Sequence, residues 1–399
     1  MKKVCVVGLG YIGLPTASLL ANRGYEVIGV DVNKNTVDII NQGKIHIVEP
    51  DLDTFVQSAV QSGKLKAYLE PKEADIFMIC VPTPFYEDRD IPTPNLDYVL
   101  SATKAIMPYV KDGNSIILES TSPVGATELV TKTLKESGVD ITKLSIAYCP
   151  ERVLPGKIMF ELTENDRIIG GINRESALEV EKFYKTFVNG ELLLTDCKTA
   201  EMSKLVENSY RDVNIAFANE LSILSDKLDI NIWELISLAN RHPRVNILQP
   251  SSGVGGHCIA VDPWFIVSQD PKNARLIKTA REVNNYKTQW CIEKVKSEAL
   301  SFELKNSKKA KVALMGLAFK PNIDDLRESP ALFIAQNIVE DLDCLVVEPN
   351  VKESEEFELI EYQEALSQAD IVVFLVAHRE FKEIDTQDKI VVDFCGVIN

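Results

Sequence analysis

Lys3-Val4-Cys5-Val6-Val7-Gly8-Leu9-Gly10-Tyr11-Ile12-Gly13 opens the chain, and Tyr25-Glu26-Val27-Ile28-Gly29-Val30-Asp31 follows it. The first stretch is a β-branched run ending in three glycines at G-x-G-x-x-G spacing. A helical pattern covers residues 14–23, and a second apolar run ends at an acid. Together these make one βαβ unit. In such a unit Gly8 permits a tight turn, Gly10 lets a pyrophosphate approach the backbone, and Gly13 lets the helix pack closely on the strand. The helix N-terminus favours phosphate charge. Asp31 can accept hydrogen bonds from a ribose hydroxyl and would repel a 2′-phosphate, which points to NAD rather than NADP. The other reading of Asp31 is an ordinary carboxylate at a strand-end turn.

Working outward, further apolar strands are expected at residues 76–81, 115–118, 145–148 and 167–169, with helical stretches between them. This alternation predicts a parallel, doubly wound sheet over about residues 1–190. From residue 199 to 239 the pattern turns helical. Leu205, Val213, Phe217, Leu221, Leu224 and Leu228 recur at three- and four-residue spacings or their sums. A long central helix with partners is expected there, suited to joining domains and to dimerising, with another helix over 274–300. The last hundred residues read as a second α/β unit, with strands at 311–315, 344–347 and 371–376 and a helix opening at Ser329-Pro330. Ala74-Asp75-Ile76 and Ala369-Asp370-Ile371 each lead into a buried strand, which hints at related architectures. The expected fold is α/β, with two Rossmann-like doubly wound domains joined by a central helical region. Its parts are an NAD-binding domain (1–195), a helical dimerisation and catalytic domain (196–300) and a C-terminal α/β domain (301–399) suited to a ligand of its own.

The chain has 399 residues, too many for one ordinary core, and its 45% hydrophobic and 26% charged content is that of a soluble globular protein. A net charge of −16 argues against a nucleic-acid-binding surface while leaving room for a local basic pocket. The N-terminal apolar run is broken by Gly8, Gly10 and Gly13 and lacks a cleavage site, so it is not read as a signal peptide. No run approaches a membrane span. Eight cysteines form no C-x-x-C pair. Most, such as Cys5, Cys80 and Cys344, lie in apolar runs and read as buried thiols. Neither disulfides nor a metal site is expected, and a reducing, cytoplasmic setting fits.

Cys258 differs from the other cysteines. It sits in Gly253-Val254-Gly255-Gly256-His257-Cys258-Ile259-Ala260-Val261-Asp262-Pro263, after a glycine-rich turn and four residues before a carboxylate. A thiol held there can attack a carbonyl carbon if a neighbour lowers its pKa or supplies a base. Thr83, at a strand's carboxyl end, suits either a cofactor contact or a plain turn. Thr121 or Ser122 suits a helix cap, a site hydroxyl, or both. Glu151 and Arg152 suit either a structural pair or a catalytic water and a substrate anion. Lys204, Asn208 and Arg211 share one helix face. That is either an ordinary surface or a set in which Lys204 and Asn208 hold an oxyanion. Arg241, His242 and Arg244 form a cationic group suited to a diphosphate or carboxylate. Lys320 and Arg327 follow a strand of the second unit and could add charge to a cleft.

Taken in order, the blocks Gly8–Gly13, Val81–Pro84, Ser120–Gly125, Pro150–Arg152, Lys204–Asn208, Gly255–Asp262 and Gly316–Arg327 resemble the nucleotide-sugar 6-dehydrogenases. This is the family of UDP-glucose and UDP-N-acetylmannosamine dehydrogenases, and the resemblance covers essentially the whole chain. Arg241–Pro250, running into Gly253–Trp264, looks most like the UDP-N-acetyl-D-mannosamine branch. The resemblance implies two successive oxidations of a sugar C6 alcohol with two NAD. Cys258 would trap the aldehyde as a thiohemiacetal, which becomes a thioester and is hydrolysed. Lys204 and Asn208 would stabilise oxyanions, Asp262 would assist proton transfer, and Glu151 and Thr121 would position water. Tyr11, Ile12, Asp31, Thr83 and Thr121 would hold NAD. Arg152, Val153, Lys204, Asn208, Arg211, His242, Arg244, Gly255, Phe319 and Lys320 would hold the UDP-sugar. A homodimer or higher homo-oligomer is expected. The chain departs from the family at Cys395, where a basic residue is expected.

Overall fold

The computed structural model describes residues 2–86, 89–154, 156–256, 258–386 and 388–398. It divides into two compact units, Met1–Val206 and Glu207–Asn399.

The first unit contains β1 (Lys3–Val7), α1 (Gly13–Asn22), β2 (Glu26–Val30), α2 (Lys34–Asn41), α3 (Leu52–Gln61), β3 (Leu65–Tyr68) and β4 (Ile76–Ile79). A two-stranded ribbon, β5 (Phe85–Tyr86) and β6 (Thr93–Pro94), comes next, followed by α4 (Asp97–Ile106), β7 (Ser115–Leu118), α5 (Ala126–Glu136) and β8 (Ser145–Tyr148). The unit continues with α6 (Ile158–Glu164), β9 (Arg167–Gly171), α7 (Arg174–Tyr184) and β10 (Leu192–Asp196). Its sheet runs β10-β9-β8-β7-β4-β1-β2-β3. Strand order reverses between β1 and β4, the switch point at which doubly wound sheets bind ligands. Both faces are covered. Val4 and Val6 of β1 join one core and Cys5 and Val7 the other, the two-residue alternation of a buried strand.

The sheet is not wholly parallel, and it extends to residue 196 rather than ending near 190. β9 lies antiparallel to β8, with Ala147 opposite Gly171. Among the described residues of 149–166 the one regular element is the seven-residue α6, and the chain turns back beside β8, whereas α7 makes a full crossover, so β10 is parallel to β9. Gly170 allows the close approach at this edge: a Cβ there would lie 2.5 Å from Ala200 Cβ and 2.6 Å from the Asp196 carbonyl oxygen. β10 escapes a hydropathy reading because it is an edge strand with half-exposed Leu193 and Leu194.

Helix α8 (Cys197–Lys227) runs through the division between the units. The second unit continues with α9 (Ile232–Ala239), α10 (Asp262–Gln269), α11 (Arg275–Asn306), β11 (Lys311–Met315), α12 (Pro330–Val339) and β12 (Asp343–Val347). It closes with α13 (Tyr362–Gln368), β13 (Ile371–Phe374) and β14 (Ile390–Asp393). Ser329 caps α12 through Leu332 N–H, and Pro330 occupies its first position, as the Ser-Pro pair implies. The sheet is parallel, in the order β12-β11-β13-β14. The likeness of the two Ala-Asp segments has a structural basis. Asp75 accepts a hydrogen bond from Lys3 N–H at 2.7 Å, and Asp370 accepts one from Lys311 N–H at 3.1 Å, each at the foot of its unit's first strand.

Gly13 bears most directly on the first unit. A Cβ built on it would lie 1.8 Å from the Gly8 carbonyl oxygen. Gly13→Ala is expected to cost about 3 kcal/mol and to lower the melting transition by roughly 10 °C, measured by calorimetry.

Candidate active site

Gly8 leaves β1 at φ +93°, in the left-handed region, and its N–H donates to Val30 O at 2.8 Å. A Cβ on Gly10 would meet no atom within 4 Å, which leaves room above the turn. Helix α1 begins with no side-chain cap and no acid in its first turn, so the positive end of its dipole is not offset by a local side chain and favours an anion. Asp31 closes β2 and braces the turn: one carboxylate oxygen accepts from Leu9 N–H at 3.1 Å, the other from Asn33 N–H at 2.9 Å. Tyr11 and Ile12 follow at the open end of the helix. These features fit the phosphates and ribose of NAD.

Two loops leave the carboxyl ends of the neighbouring strands β4 and β7. The Thr83 hydroxyl joins them by donating to Thr121 O at 2.6 Å. Neither Thr121 nor Ser122 caps the following helix, because α5 starts after Gly125 without a local side-chain cap. Glu201 of α8 caps it instead, accepting from Gly125 N–H (2.7 Å), Thr127 N–H (2.8 Å) and Thr127 Oγ1 (2.6 Å). That cap comes from 74 residues away, so no local pattern announces it. It also fixes the turn of α8 that carries Lys204.

Beneath these loops lies a buried charged cluster. One Glu151 oxygen accepts from Arg152 N–H at 2.7 Å, and the other pairs with Arg167 at 2.6 Å. Both side chains are almost wholly buried. This supports the structural reading of Glu151. Glu119 accepts from Tyr184 O–H at 2.5 Å and from the Cys80 thiol at 3.3 Å. Burial pushes its carboxyl up to about 7, with the Arg167 charge pulling the other way. Arg152 extends outward, donating to Asp166 O at 3.3 Å, and Val153 is partly buried against the core.

On α8, Lys204 and Asn208 are both buried, at 9% and 8% exposure, whereas Arg211 is exposed. Lys204 makes no hydrogen bond or ion pair among the described residues. A buried ammonium in that state calls for a ligand. Asn208 Nδ2 donates to Asp262 at 2.6 Å. Asp262 is buried at the start of α10, and its N–H donates back to Cys258 O at 2.8 Å. Asn208, Asp262 and Cys258 are thus linked within the second unit.

The loop before Cys258 is anchored by polar groups that sequence reading missed. Ser251 N–H donates to Asn219 Oδ1 at 2.9 Å, and Asn219 Nδ2 donates to Asn284 Oδ1 at 2.9 Å. Asn284 donates to Asp212 at 2.8 Å, and Arg281 pairs with Asp212 at 2.6 Å. Gly253 and Gly256 adopt φ +147° and +81°, so side chains there would be strained. His257 lies outside the described residues.

The family models match all three parts of the chain. Residues 2–188 match the NAD binding domain, 198–286 the central domain and 313–399 the UDP binding domain of the UDP-glucose/GDP-mannose dehydrogenase family. The chain belongs to that family. It is 56% identical to the UDP-N-acetyl-D-mannosamine dehydrogenase of Campylobacter jejuni, over 99% of both chains. It is 53% identical to the NDP-N-acetyl-D-galactosaminuronic acid dehydrogenase of Ralstonia solanacearum, over 99% of this chain and 96% of the relative. A solved structure of the UDP-N-acetyl-mannosamine dehydrogenase of S. aureus superposes with TM-score 0.89 at 42% identity, covering 100% of this chain and 96% of that one.

The remaining family positions differ in setting. His242 and Arg244 lie in an exposed turn, where His242 Nδ1 accepts from Arg244 N–H at 3.4 Å. Phe319 and Lys320 are partly buried. Arg327 is paired with Asp325 through two bonds, at 2.8 and 2.6 Å. Near Cys395, where a basic residue is expected from the sequence, α11 brings Lys287. Its ammonium lies 3.9 Å from the Trp290 ring centroid and 5.5 Å from that of Phe394. It donates to Ser222 Oγ at 2.8 Å, and burial pulls its pKa down to about 8. No helix of the described residues is long and apolar enough to cross a membrane.

Of the eight cysteines only Cys258 is exposed. Cys344 and Cys395 are partly buried, which corrects the reading of Cys344 as a core thiol. Burial pushes Cys5, Cys149, Cys291 and Cys344 up to about 12 and Cys197 up to about 11. Iodoacetamide near neutral pH should therefore label a single thiol in the native enzyme, and peptide mass spectrometry should find it at Cys258. Label on several cysteines would contradict the burial pattern.

Proposed function

We propose that the chain is an NAD-dependent UDP-N-acetyl-D-mannosamine 6-dehydrogenase that carries the C6 alcohol through the aldehyde to the carboxylate. The observation that carries the reading is the buried, unpartnered Lys204, one helical turn before an Asn208 bonded to the acid of the Cys258 loop. The Campylobacter relative supports the choice of sugar.

When bound, NAD accepts the hydride that leaves C6 at each oxidation. Lys204 stabilises the C6 oxygen as it becomes negative, and Asn208 adds a donor from the amide hydrogen not given to Asp262. The Cys258 thiol then adds to the aldehyde carbon. A carbon–sulfur bond forms, and the thiol proton ends on the C6 oxygen, giving a thiohemiacetal. Loss of hydride and of that hydroxyl proton leaves a thioester. Water attacks the thioester, the carbon–sulfur bond breaks, and the departing thiolate recovers a proton. Asp262 serves these proton transfers. Thr121 orients the water, and Glu151 fixes the backbone at Arg152. Tyr11, Ile12, Asp31, Thr83 and Thr121 hold NAD. Arg152, Val153, Arg211, His242, Arg244, Gly255, Phe319 and Lys320 hold the UDP-sugar, with the cations on its diphosphate.

The Ralstonia relative favours a second reading, in which the sugar is the galactosamine epimer. The discriminating experiment measures NADH per sugar across UDP-N-acetylmannosamine, UDP-N-acetylgalactosamine, UDP-N-acetylglucosamine and UDP-glucose. The mannosamine substrate should yield two NADH and the uronate. Cys258→Ala should form no acid, and Lys204→Ala should lose about 10²–10³-fold in kcat. Turnover of another sugar alone would overturn the branch, and one NADH with full activity in Cys258→Ala would overturn the thioester route.

We also propose that the enzyme works in the cytoplasm as a homodimer paired through α8. Tyr210, Phe217 and Leu224 stand at seven-residue intervals on that helix and are 69%, 53% and 48% exposed, with Leu228 beyond them at 64%. An apolar stripe at heptad spacing suits the same stripe on a second copy. Light scattering should show a dimer that Phe217→Asp converts to monomer. A monomeric parent protein would refute the pairing.

A further inference from the structure

The turn after β11 repeats the geometry of the turn after β1. Gly316 has φ +96°, against +93° for Gly8, and its N–H donates to Val347 O at 2.8 Å, as Gly8 N–H does to Val30 O. Glu348 follows β12 as Asp31 follows β2. The turn itself stands at the second sheet's switch point, where the order reverses between β11 and β13 and a ligand is the ordinary expectation. Here the acid is engaged within the protein. One Glu348 oxygen accepts from Leu317 N–H (2.7 Å), Ala318 N–H (2.9 Å) and His378 Nε2 (3.1 Å). The other accepts from Asn350 N–H at 2.9 Å. Both side chains are buried, His378 completely.

His378 passes this anchoring on. Its Nδ1 accepts from Asn322 N–H at 3.0 Å, which requires the proton on Nε2 when the ring is neutral, facing Glu348. Asn322 has φ +62°, and its side-chain oxygen accepts from Arg379 N–H at 2.9 Å. The segment 317–322 is therefore fixed at its start by Glu348 and at its end by His378. Between those points stands Phe319, and the Cys258 loop rests on it. A Cβ on Gly256 would lie 2.9 Å from Phe319 Cε2, and one on Gly255 would lie 3.1 Å from Phe319 Cβ.

We propose that Glu348 and His378 are positioning residues for the reaction. They hold the 317–322 segment as the seat of Gly255 and Gly256, the glycines just before the thiol, and so set where Cys258 stands. The proposal rests on the reading of Cys258 as the nucleophile, but its test does not depend on that reading alone.

His378→Gln retains a donor toward Glu348 and loses the acceptor for Asn322 N–H. His378→Asn returns an oxygen acceptor close to the Nδ1 position. In the full-length enzyme, His378→Gln should lower kcat by about 10- to 100-fold, the usual effect of a small misplacement. It should also change the rate of Cys258 alkylation by iodoacetamide severalfold. NAD affinity, read by fluorescence, should stay within twofold, and His378→Asn should recover most of the activity. Unchanged kcat and alkylation in a folded His378→Gln would overturn the proposal. So would a loss of kcat with alkylation unchanged, or activity that falls only with the folded fraction. If His378→Gln does not fold, Glu348→Gln takes its place. It keeps an acceptor for the Leu317 and Ala318 N–H groups, and a parent-like kcat and alkylation rate there would be fatal. If Cys258→Ser still forms acid, the thiol reading fails on its own, while the alkylation comparison still judges the seat.

Discussion

No side chain can stand at residue 13 without moving the strand beneath it. The absence of a Cβ lets α1 press against the Gly8 carbonyl, and that contact fixes how the helix leaves the sheet. Other features of the first unit follow from it. The helix N-terminus opens over a turn with free space at Gly10, and Asp31 reaches across to brace Leu9 from the next strand. The same turn stands where strand order reverses, so the loops after β4 and β7 emerge beside it, joined by Thr83 and Thr121. The turn suits a cofactor because the uncapped end of α1 and the open space at Gly10 meet at the one point where the strand order reverses.

The parts of this arrangement that obey short-range rules were legible in the sequence. Gly8, Gly10 and Gly13 announce the turn, short continuous apolar runs announce β1, β4 and β7, and Ser329-Pro330 announces the start of α12. Strand direction was not legible. A chain that leaves β8 through α6 and turns back has the same hydropathy as one that crosses over, so β9 read as parallel. Edge strand β10 lacks the buried run that marks a strand. The polar groups that position the site were also invisible. Glu201 caps a helix 74 residues upstream, and Ser251 is tied through Asn219 and Asn284 to Asp212. Such residues look like ordinary helix-surface polars until the fold buries them. Cys258 stood out for the opposite reason, lying outside a regular apolar run between a glycine-rich turn and Asp262-Pro263.

Burial also decides how charge is shared beneath the first unit's loops. Two acids, Glu119 and Glu151, lie near one guanidinium, Arg167. The direct contact goes to Glu151, whose second oxygen holds the backbone at Arg152. Glu119 receives hydrogen bonds from a phenol and a thiol instead, and burial raises its carboxyl toward neutrality. The outcome is a rigid, mostly compensated cluster directly under the segments bearing Thr83, Thr121 and Arg152. It orders those backbones without adding a bare charge beside them.

The two glycine turns of the chain reach opposite ends from nearly the same backbone. In the first, the third position is Gly10, exposed and with nothing near it, and the acid is an aspartate that reaches one turn amide. In the second, the third position is Ala318, buried, and the acid is a glutamate, one methylene longer. The added reach lets Glu348 take two turn amides and a histidine together, and the buried Ala318 takes the place that open Gly10 has in the first turn. The turn is filled by the protein's own carboxylate and becomes an internal anchor. Phe319 and Lys320, proposed to meet the UDP-sugar, stand on the segment that follows. The turn holds in place the residues on which the Cys258 loop rests.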